Sequence, residues 1–360
     1  MRLRIGVDAR SLGEPPGGLR RHLTELLAAL LAAAPETDFS CYLTPSDPAP
    51  ETSGRLHVVR VPGSRRSLLR PLWELRSLPR TLAAEPPDVF LAASGAVPGG
   101  RACPVVAVVH DLAYLRQPGW FRWPHRLYWR SVSARLPRAA QLLAVSQATR
   151  DDCLRHGLAP ERVHLVPNAP SRVFFRRPAE EARAARERCS LPEGFALAVG
   201  AWDDPRKNLV RLAAAAARAG VVLAVVGAVP RRAPANVRLL GGRSDDELAA
   251  LMSAAGAFAV PSLDEGFGLP LLEAMACGAP CLAARAGALP EVAGAGAWLV
   301  PPEDVAGWAE ALRRLRDGPE ERAALQARGR ARAAAFSWER SARLALEVLH
   351  RAAAAGRARV

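Results

Sequence analysis

The sequence of 360 residues predicts an α/β protein of two doubly wound domains, each a mostly parallel sheet flanked by helices. Three observations lead there. The length, at about 100–200 residues per domain, gives two domains that can each bury a core. Apolar strand-like runs alternate with stretches of helical periodicity in both halves. Runs such as VVAVVH and LLAV are almost wholly apolar, as in strands covered on both faces.

Taken in order, RIGVDA (4–9) reads as a strand, GEPPGG (13–18) as a turn and LRRHLTELLAALLAAA as an amphipathic helix. Strand-like FSCYL, LHVVRV, DVFLAA, PVVAVVH and QLLAVS follow, and together they make a first domain over 1–169. Residues 170–190 are polar and proline-marked, which predicts a linker. The second domain, 191–336, alternates again: strand FALAVG, helix NLVRLAAAAARAG, strands VVLAVVG and VRLLG, helix SDDELAALMSAAG, strand AFAVPS, then LPLLEAMACG, strand PCLAA, LPEVAGAGAWLV and helix DVAGWAEALRRLRDG. The tail, 337–360, reads as one long helix that crosses back to the first domain. Two such domains in series predict a ligand cleft at the carboxyl ends of their strands.

Half the residues are apolar and 23% are charged, and no apolar run approaches the roughly 18 residues of a membrane span. The N-terminus enters a strand pattern without a signal-peptide core, so a cytoplasmic protein is expected. Six scattered cysteines without a CxxC pair predict reduced, buried thiols and no metal knuckle. The net charge of +14 implies an anionic partner: nucleic acid, a phosphorylated substrate or an acidic membrane. All but one of the 49 basic residues are arginines. The exception, Lys207, is therefore a position to watch.

Two stretches carry the chemistry. In PSLDEGFGLPLLEAMACG (261–278) a strand ends, a loop presents Glu265, Gly266, Phe267 and Gly268, Pro270 takes the first helical position and Glu273 falls in the first turn. Glycines allow close backbone approach, and helix-start amides attract phosphate. Against this stands the plainer reading of a solvated loop acid and a dipole-complementing glutamate. In FALAVGAWDDPRKNLVRL the cations Arg206 and Lys207 stand at a strand-to-helix corner, where a compact ammonium suits a phosphate oxygen.

These stretches resemble the retaining glycosyltransferases of family 4, which have the GT-B fold of two Rossmann-like domains. Residues 265–280 match the family's EGFGLPLLEAMACGxP segment, and Arg206, Lys207 and Asn208 match its RKN corner. In the first half VDARSLGEPPGGLRRHLTELL resembles its glycine loop, VVHDLAYLRQPGWF its HDL segment, and LLAVSQATRDDCL with VHLVPNAP its VSxxS and VPNG segments. The resemblance implies that Lys207, assisted by Arg206, neutralises the diphosphate of a sugar nucleotide, and that amides around Gly266, Phe267 and Gly268 bind sugar and phosphate oxygens. It further implies that Glu265 holds sugar hydroxyls, Glu273 the ribose, Gly17 and Gly18 approach the phosphates, and His110 sits beside the anomeric centre. Preorganised cations and amides would stabilise charge on the departing phosphate. The nucleotide sugar is then a co-substrate, with no cofactor and no metal; no Asp-x-Asp occurs. Retention by front-face attack is implied by the family alone. The chain departs from the pattern at Ala201, where an arginine is usual, at Ala169 in place of the VPNG glycine, and in ARAGALPE (284–291), which lacks a double glycine.

The expected activity is transfer of a hexosyl group, mannosyl from GDP-mannose first, to a glycan or lipid-linked acceptor in surface polysaccharide synthesis. The alternative within the class is a glucosyl- or N-acetylglucosaminyltransferase using a UDP-sugar. The alternative outside it is a basic nucleic-acid-binding protein, against which the arginines are spread through both halves and no RNP-like strand appears. His110–Asp111 lacks the nucleophile of a hydrolase, and GEPPGG lacks the GxGxxG spacing of a dinucleotide site. Segment 119–140 interleaves three of the eight tryptophans with arginines. It reads equally as a face that, with the arginines of 60–80, docks on an anionic membrane and as the core of a helix pair.

Overall fold

The computed structural model describes residues 2–15, 17–50, 54–64, 69–228 and 233–358. The chain divides into two units, Met1–Asn168 with Trp338–Val360, and Ala169–Ser337.

In the first unit seven strands form one sheet: β1 (Leu3–Asp8), β2 (Thr37–Leu43), β3 (Leu56–Arg60), β4 (Val89–Ala92), β5 (Val105–Val109), β6 (Gln141–Ala144) and β7 (Val163–Leu165). Their order is β3-β2-β1-β4-β5-β6-β7 and every pairing is parallel. The central strand β1 sets Ile5 beside Phe39 and Val89, and Val7 beside Cys41 and Leu91. Ile5, Val7, Phe39 and Leu91 are wholly buried, which is why these strands are apolar throughout rather than alternating. Helix Gly18–Ala33 buries Leu23, Leu26 and Leu30 and packs on helix Trp338–Arg357, which also touches β4, β5 and β6.

The second unit holds six parallel strands: β8 (Ala196–Val199), β9 (Leu223–Val226), β10 (Val237–Gly241), β11 (Ala257–Val260), β12 (Cys281–Ala284) and β13 (Ala297–Val300), in the order β10-β9-β8-β11-β12-β13. In each sheet the chain starts at a central strand, winds outward, and returns to the other side of that strand. The winding therefore reverses between β1 and β4, and between β8 and β11. Loops leaving the carboxyl ends at such a reversal splay apart and leave room for a ligand.

The structure alters one expectation and resolves two segments that the sequence left open. Residues 170–190 are no linker: they fall in the second unit, where helix Ala179–Arg188 packs on helix Asp245–Ala254 and Arg177 donates to Asp246 at 2.7 Å. Within this polar segment Ala182 and Ala185 form a small buried stripe. The short strand β7, three residues long, escaped a periodicity argument. LPEVAGAGAWLV divides into helix Leu289–Ala293 and β13. The six cysteines are free thiols, four of them buried, and burial pushes Cys41 up to about 12. No helix among the described residues is long and apolar enough to cross a membrane.

Candidate active site

The loops after β8 and β11, neighbours across the second reversal, bring Lys207 and Glu265 together. Lys207 ends the 3-10 turn Pro205–Lys207. Its aliphatic stem lies over Gly200, where a Cβ would come within 3.0 Å of Lys207 Cγ; any larger residue there would displace the stem. The ammonium donates to Glu265 Oε1 at 2.7 Å, and the Ser262 hydroxyl donates to the same oxygen at 2.7 Å. Next to it Arg206 forks onto Asp204, Nη2 to Oδ2 at 2.8 Å and Nε to Oδ1 at 3.1 Å. Burial alone would raise Asp204, but the hydrogen bonds and charge of Arg206 outweigh it and hold the carboxyl below its usual range. Both cations are thus held by carboxylates before any ligand arrives.

Asn208 fixes this corner. It adopts a left-handed conformation at φ 54° and opens helix Leu209–Ala219. Its side-chain amide donates to the carbonyls of Pro261 (3.0 Å) and Pro302 (2.7 Å), which ties the cation turn to the acid loop. The Leu263 amide donates to Arg206 O at 2.8 Å and closes the same tie from the other side.

In the acid loop, Gly268 has φ +92° immediately before helix Leu269–Ala276, a conformation that side chains resist. The helix therefore starts at Leu269, with Pro270 one place into it, and Glu273 is its fifth residue rather than a first-turn one. Glu273 is fully enclosed. Phe267 is also buried, its ring edge-on to Phe336 at 5.9 Å, so this position offers a ligand its backbone. Gly287, at φ +53°, comes so close that a Cβ would lie 2.5 Å from Glu265 O; Ala288 N donates to that carbonyl at 2.9 Å. The segment that lacks the double glycine thus keeps the one glycine that the contact requires.

In the first unit Gly17 and Gly18 open helix Gly18–Ala33 in the loop after β1. Neither has a backbone angle that demands glycine, and a Cβ on Gly18 would meet nothing within 4 Å. The space above this helix start is open. His110 follows β5, and its Nε2 donates to Ala93 O at 2.8 Å, which leaves Nδ1 with the lone pair. Burial lowers its pKa, although the Ala93 bond and nearby acids act in the other direction. Asp111 accepts from the Ala113 amide at 3.1 Å, so no His–Asp dyad forms there.

Sequence reasoning missed several supporting residues. Ser262 and Asp204 hold Glu265 and Arg206, and nothing distinguishes this serine or this acid from others in loop sequence. His22 could have been noticed as a histidine on the apolar face of a helix. It is buried, its Nδ1 donates to Asn168 Oδ1 at 2.7 Å, and its ring meets that of His110 edge-on at 4.7 Å. Among the described residues no group of three or more potential ligands could hold a metal ion.

Residues 195–332 match the family model described as Glycosyl transferases group 1, and 16–169 match that described as Glycosyltransferase Family 4. The chain is 35% identical over 284 residues to an MMP alpha-(1->4)-mannosyltransferase of Mycolicibacterium hassiacum, covering 70% of this chain and 66% of that protein. It is 32% identical over 256 residues to the O-antigen chain mannosyltransferase B of Escherichia coli, covering 65% and 67%. The chain thus spans about two thirds of the length of these curated relatives, and 33% of a longer serotype-specific mannosyltransferase of Escherichia coli. Among solved structures it is similar to sucrose-phosphate synthase from Thermosynechococcus elongatus, with a TM-score of 0.79 at 23% identity over 98% of this chain and 100% of that one. Two doubly wound units of parallel strands make this the GT-B fold.

Proposed function

This chain belongs to glycosyltransferase family 4, and we propose that it transfers a mannosyl group from GDP-mannose to a glycan or lipid-linked acceptor in surface polysaccharide synthesis. The reaction needs no metal and retains the anomeric configuration. The observation that carries the reading is the Lys207–Glu265 pair, with Nζ and Oε1 2.7 Å apart on the loops flanking a strand reversal. The mannosyltransferase relatives favour the sugar.

In the proposed reaction Lys207 and Arg206 turn from their carboxylates towards the donor diphosphate. The amides of Gly266, Phe267 and Gly268, with the start of helix Leu269–Ala276, add partial positive charge. As the bond from the anomeric carbon to the β-phosphate oxygen breaks, these groups take up the charge on the leaving group. Glu265, freed of its ammonium, accepts from sugar hydroxyls, and Glu273 accepts from the ribose. Gly17 and Gly18 let backbone approach the phosphates, and His110 contacts the sugar. The acceptor oxygen bonds to the anomeric carbon on the same face, and its proton passes to the departing phosphate. The enzyme works in the cytoplasm, on acceptors presented at the inner face of the membrane.

A thermal-shift panel of GDP, UDP, ADP and dTDP tests the reading, since a nucleotide that binds only folded protein raises stability by mass action. GDP is expected to raise the midpoint most. A larger rise with UDP would replace the donor with a UDP-sugar, and no rise with any of the four would overturn the proposal.

A further inference from the structure

Exposed large apolar side chains concentrate on one part of the first unit. Five of the eight among the described residues, Leu69, Leu72, Leu75, Trp123 and Leu127, lie on two neighbouring helical segments, residues 69–84 and helix Trp123–Ser133. Trp123 is 70% exposed and Leu72 57%. Trp123 and Leu127 are four residues apart on one helical face, and Leu69, Leu72 and Leu75 recur every three residues on the other segment. An open pocket of about 480 Å³ joins the two, lined among others by Pro71, Pro124, Leu127 and Trp129.

The charge around this face is mostly positive; the acid that reaches it, Glu14, is paired with Arg70. From 112 to 150 the chain has no carboxylate and seven arginines. Arg76, Arg80, Arg122 and Arg130 are exposed and form no ion pair among the described residues. Arg65 and Arg66, which the sequence grouped with them, lie outside the described residues. The one acid between 69 and 84, Glu74, is turned inward and wholly buried. It accepts from Arg135 Nη2 at 2.8 Å, from Tyr128 OH at 2.7 Å and from Arg10 Nη2 at 3.3 Å. Arg10 in turn forks onto Asp8 at the end of β1 and lies over the Trp73 ring at 3.9 Å. This network anchors both segments to the sheet while their outer faces stay apolar and cationic. The helix-core reading of 119–140 holds only for its inward side, where Trp129 stacks on Tyr114 at 5.5 Å.

We propose that this face docks on a bilayer containing anionic phospholipid. Trp123, Leu127, Leu72 and Leu75 enter the boundary between headgroups and acyl chains, and the surrounding arginines meet lipid phosphates. The proposal names the surface on which the transferase proposed above meets lipid-linked acceptors; it rests on that reading for its purpose and not for its physics. Exposed arginines that outnumber the acids around them suit a negative plane better than a second copy of the same cationic face, which would repel itself.

Vesicle flotation tests it, with pure phosphatidylcholine and with phosphatidylcholine containing phosphatidylglycerol. The purified chain should float with the anionic vesicles only, and less so at high salt. Trp123→Ser with Leu127→Ser, and separately Arg122→Glu with Arg130→Glu, should each lower the bound fraction by at least about tenfold. Thermal midpoint and nucleotide-induced shift serve as folding controls and should not change. Brominated acyl chains should quench tryptophan emission, and Trp123→Phe should remove most of that quenching. No flotation with anionic vesicles, equal flotation with neutral ones, or flotation unchanged in both double variants would overturn the proposal. So would a lipid-free dimer that Leu127→Ser dissolves. A nucleotide shift without flotation leaves the transferase reading standing and this one refuted; flotation without a nucleotide shift does the reverse.

Discussion

Lys207→Met separates catalysis from folding at the centre of the site. The substitution keeps a straight stem over Gly200 and removes the ammonium. Glu265 then loses its 2.7 Å cation but keeps the Ser262 hydroxyl. The pair's side chains are 25% and 16% exposed. Solvent screening holds their worth to folding below about 1 kcal/mol, or about 2–4 °C in a unit of 150–250 residues. The second unit spans Ala169–Ser337 and falls in that range. The transition state is far more sensitive, because removing one preorganised donor from developing charge costs about 10²–10³ in kcat, about 2.7–4 kcal/mol. Steady-state release of nucleoside diphosphate from the sugar nucleotide, beside scanning calorimetry, measures both. Lys207→Arg should restore little, since a planar fork does not reproduce a point charge packed on a glycine. A folded Lys207→Met enzyme that keeps more than about a tenth of the wild-type kcat would refute the reasoning. So would a fall in midpoint of about 10 °C, which would make the residue structural.

Gly18→Ala should leave the melting temperature unchanged or slightly raised, because a methyl there meets no protein atom, yet KM for the sugar nucleotide should rise at least about tenfold, some 1.4 kcal/mol; an unchanged KM would remove the helix start from the donor site. Glu74→Gln leaves Arg135 buried without its counter-charge and should cost about 3–5 kcal/mol in urea unfolding; less than about 1 kcal/mol would show the network to be dispensable. His22 is depressed from 6.5 to about 3, by burial first and by its neighbour His110 second. The unfolded chain then takes up a proton that the folded chain refuses, so this part of the stability is complete above pH 6.5 and is lost as pH falls towards 3. His22→Gln should flatten that acid arm of the melting profile, and an unchanged slope would refute the assignment.

What the sequence revealed follows from what leaves a local trace. Strands covered on both faces must be apolar throughout, so β5 and β6 were legible as VVAVV and QLLA. Lys207 was legible because every other cation is arginine. The pairing of Lys207 with Glu265 left no such trace: the two are 58 positions apart, and only the placement of β8 against β11 brings their loops together. Glu74 left no trace for the same reason: its partners Arg10 and Arg135 come from 64 and 61 positions away. Glu273 was placed one residue too early in its helix because proline usually marks the first helical residue, and here positive-φ Gly268 lets the helix start one residue before it.

Helix Trp338–Arg357 belongs to the first unit although it follows the second in sequence, and it buries Trp338, Ala342, Ala345, Leu349 and Ala352. During synthesis the earliest half therefore leaves the ribosome without its cover, an uncapped apolar strip on β4 to β6 and helix Gly18–Ala33. The second unit, by contrast, is one unbroken stretch from Ala169 to Ser337. The order of maturation runs against the order of translation, since helix Trp338–Arg357, made after the second unit, completes the first.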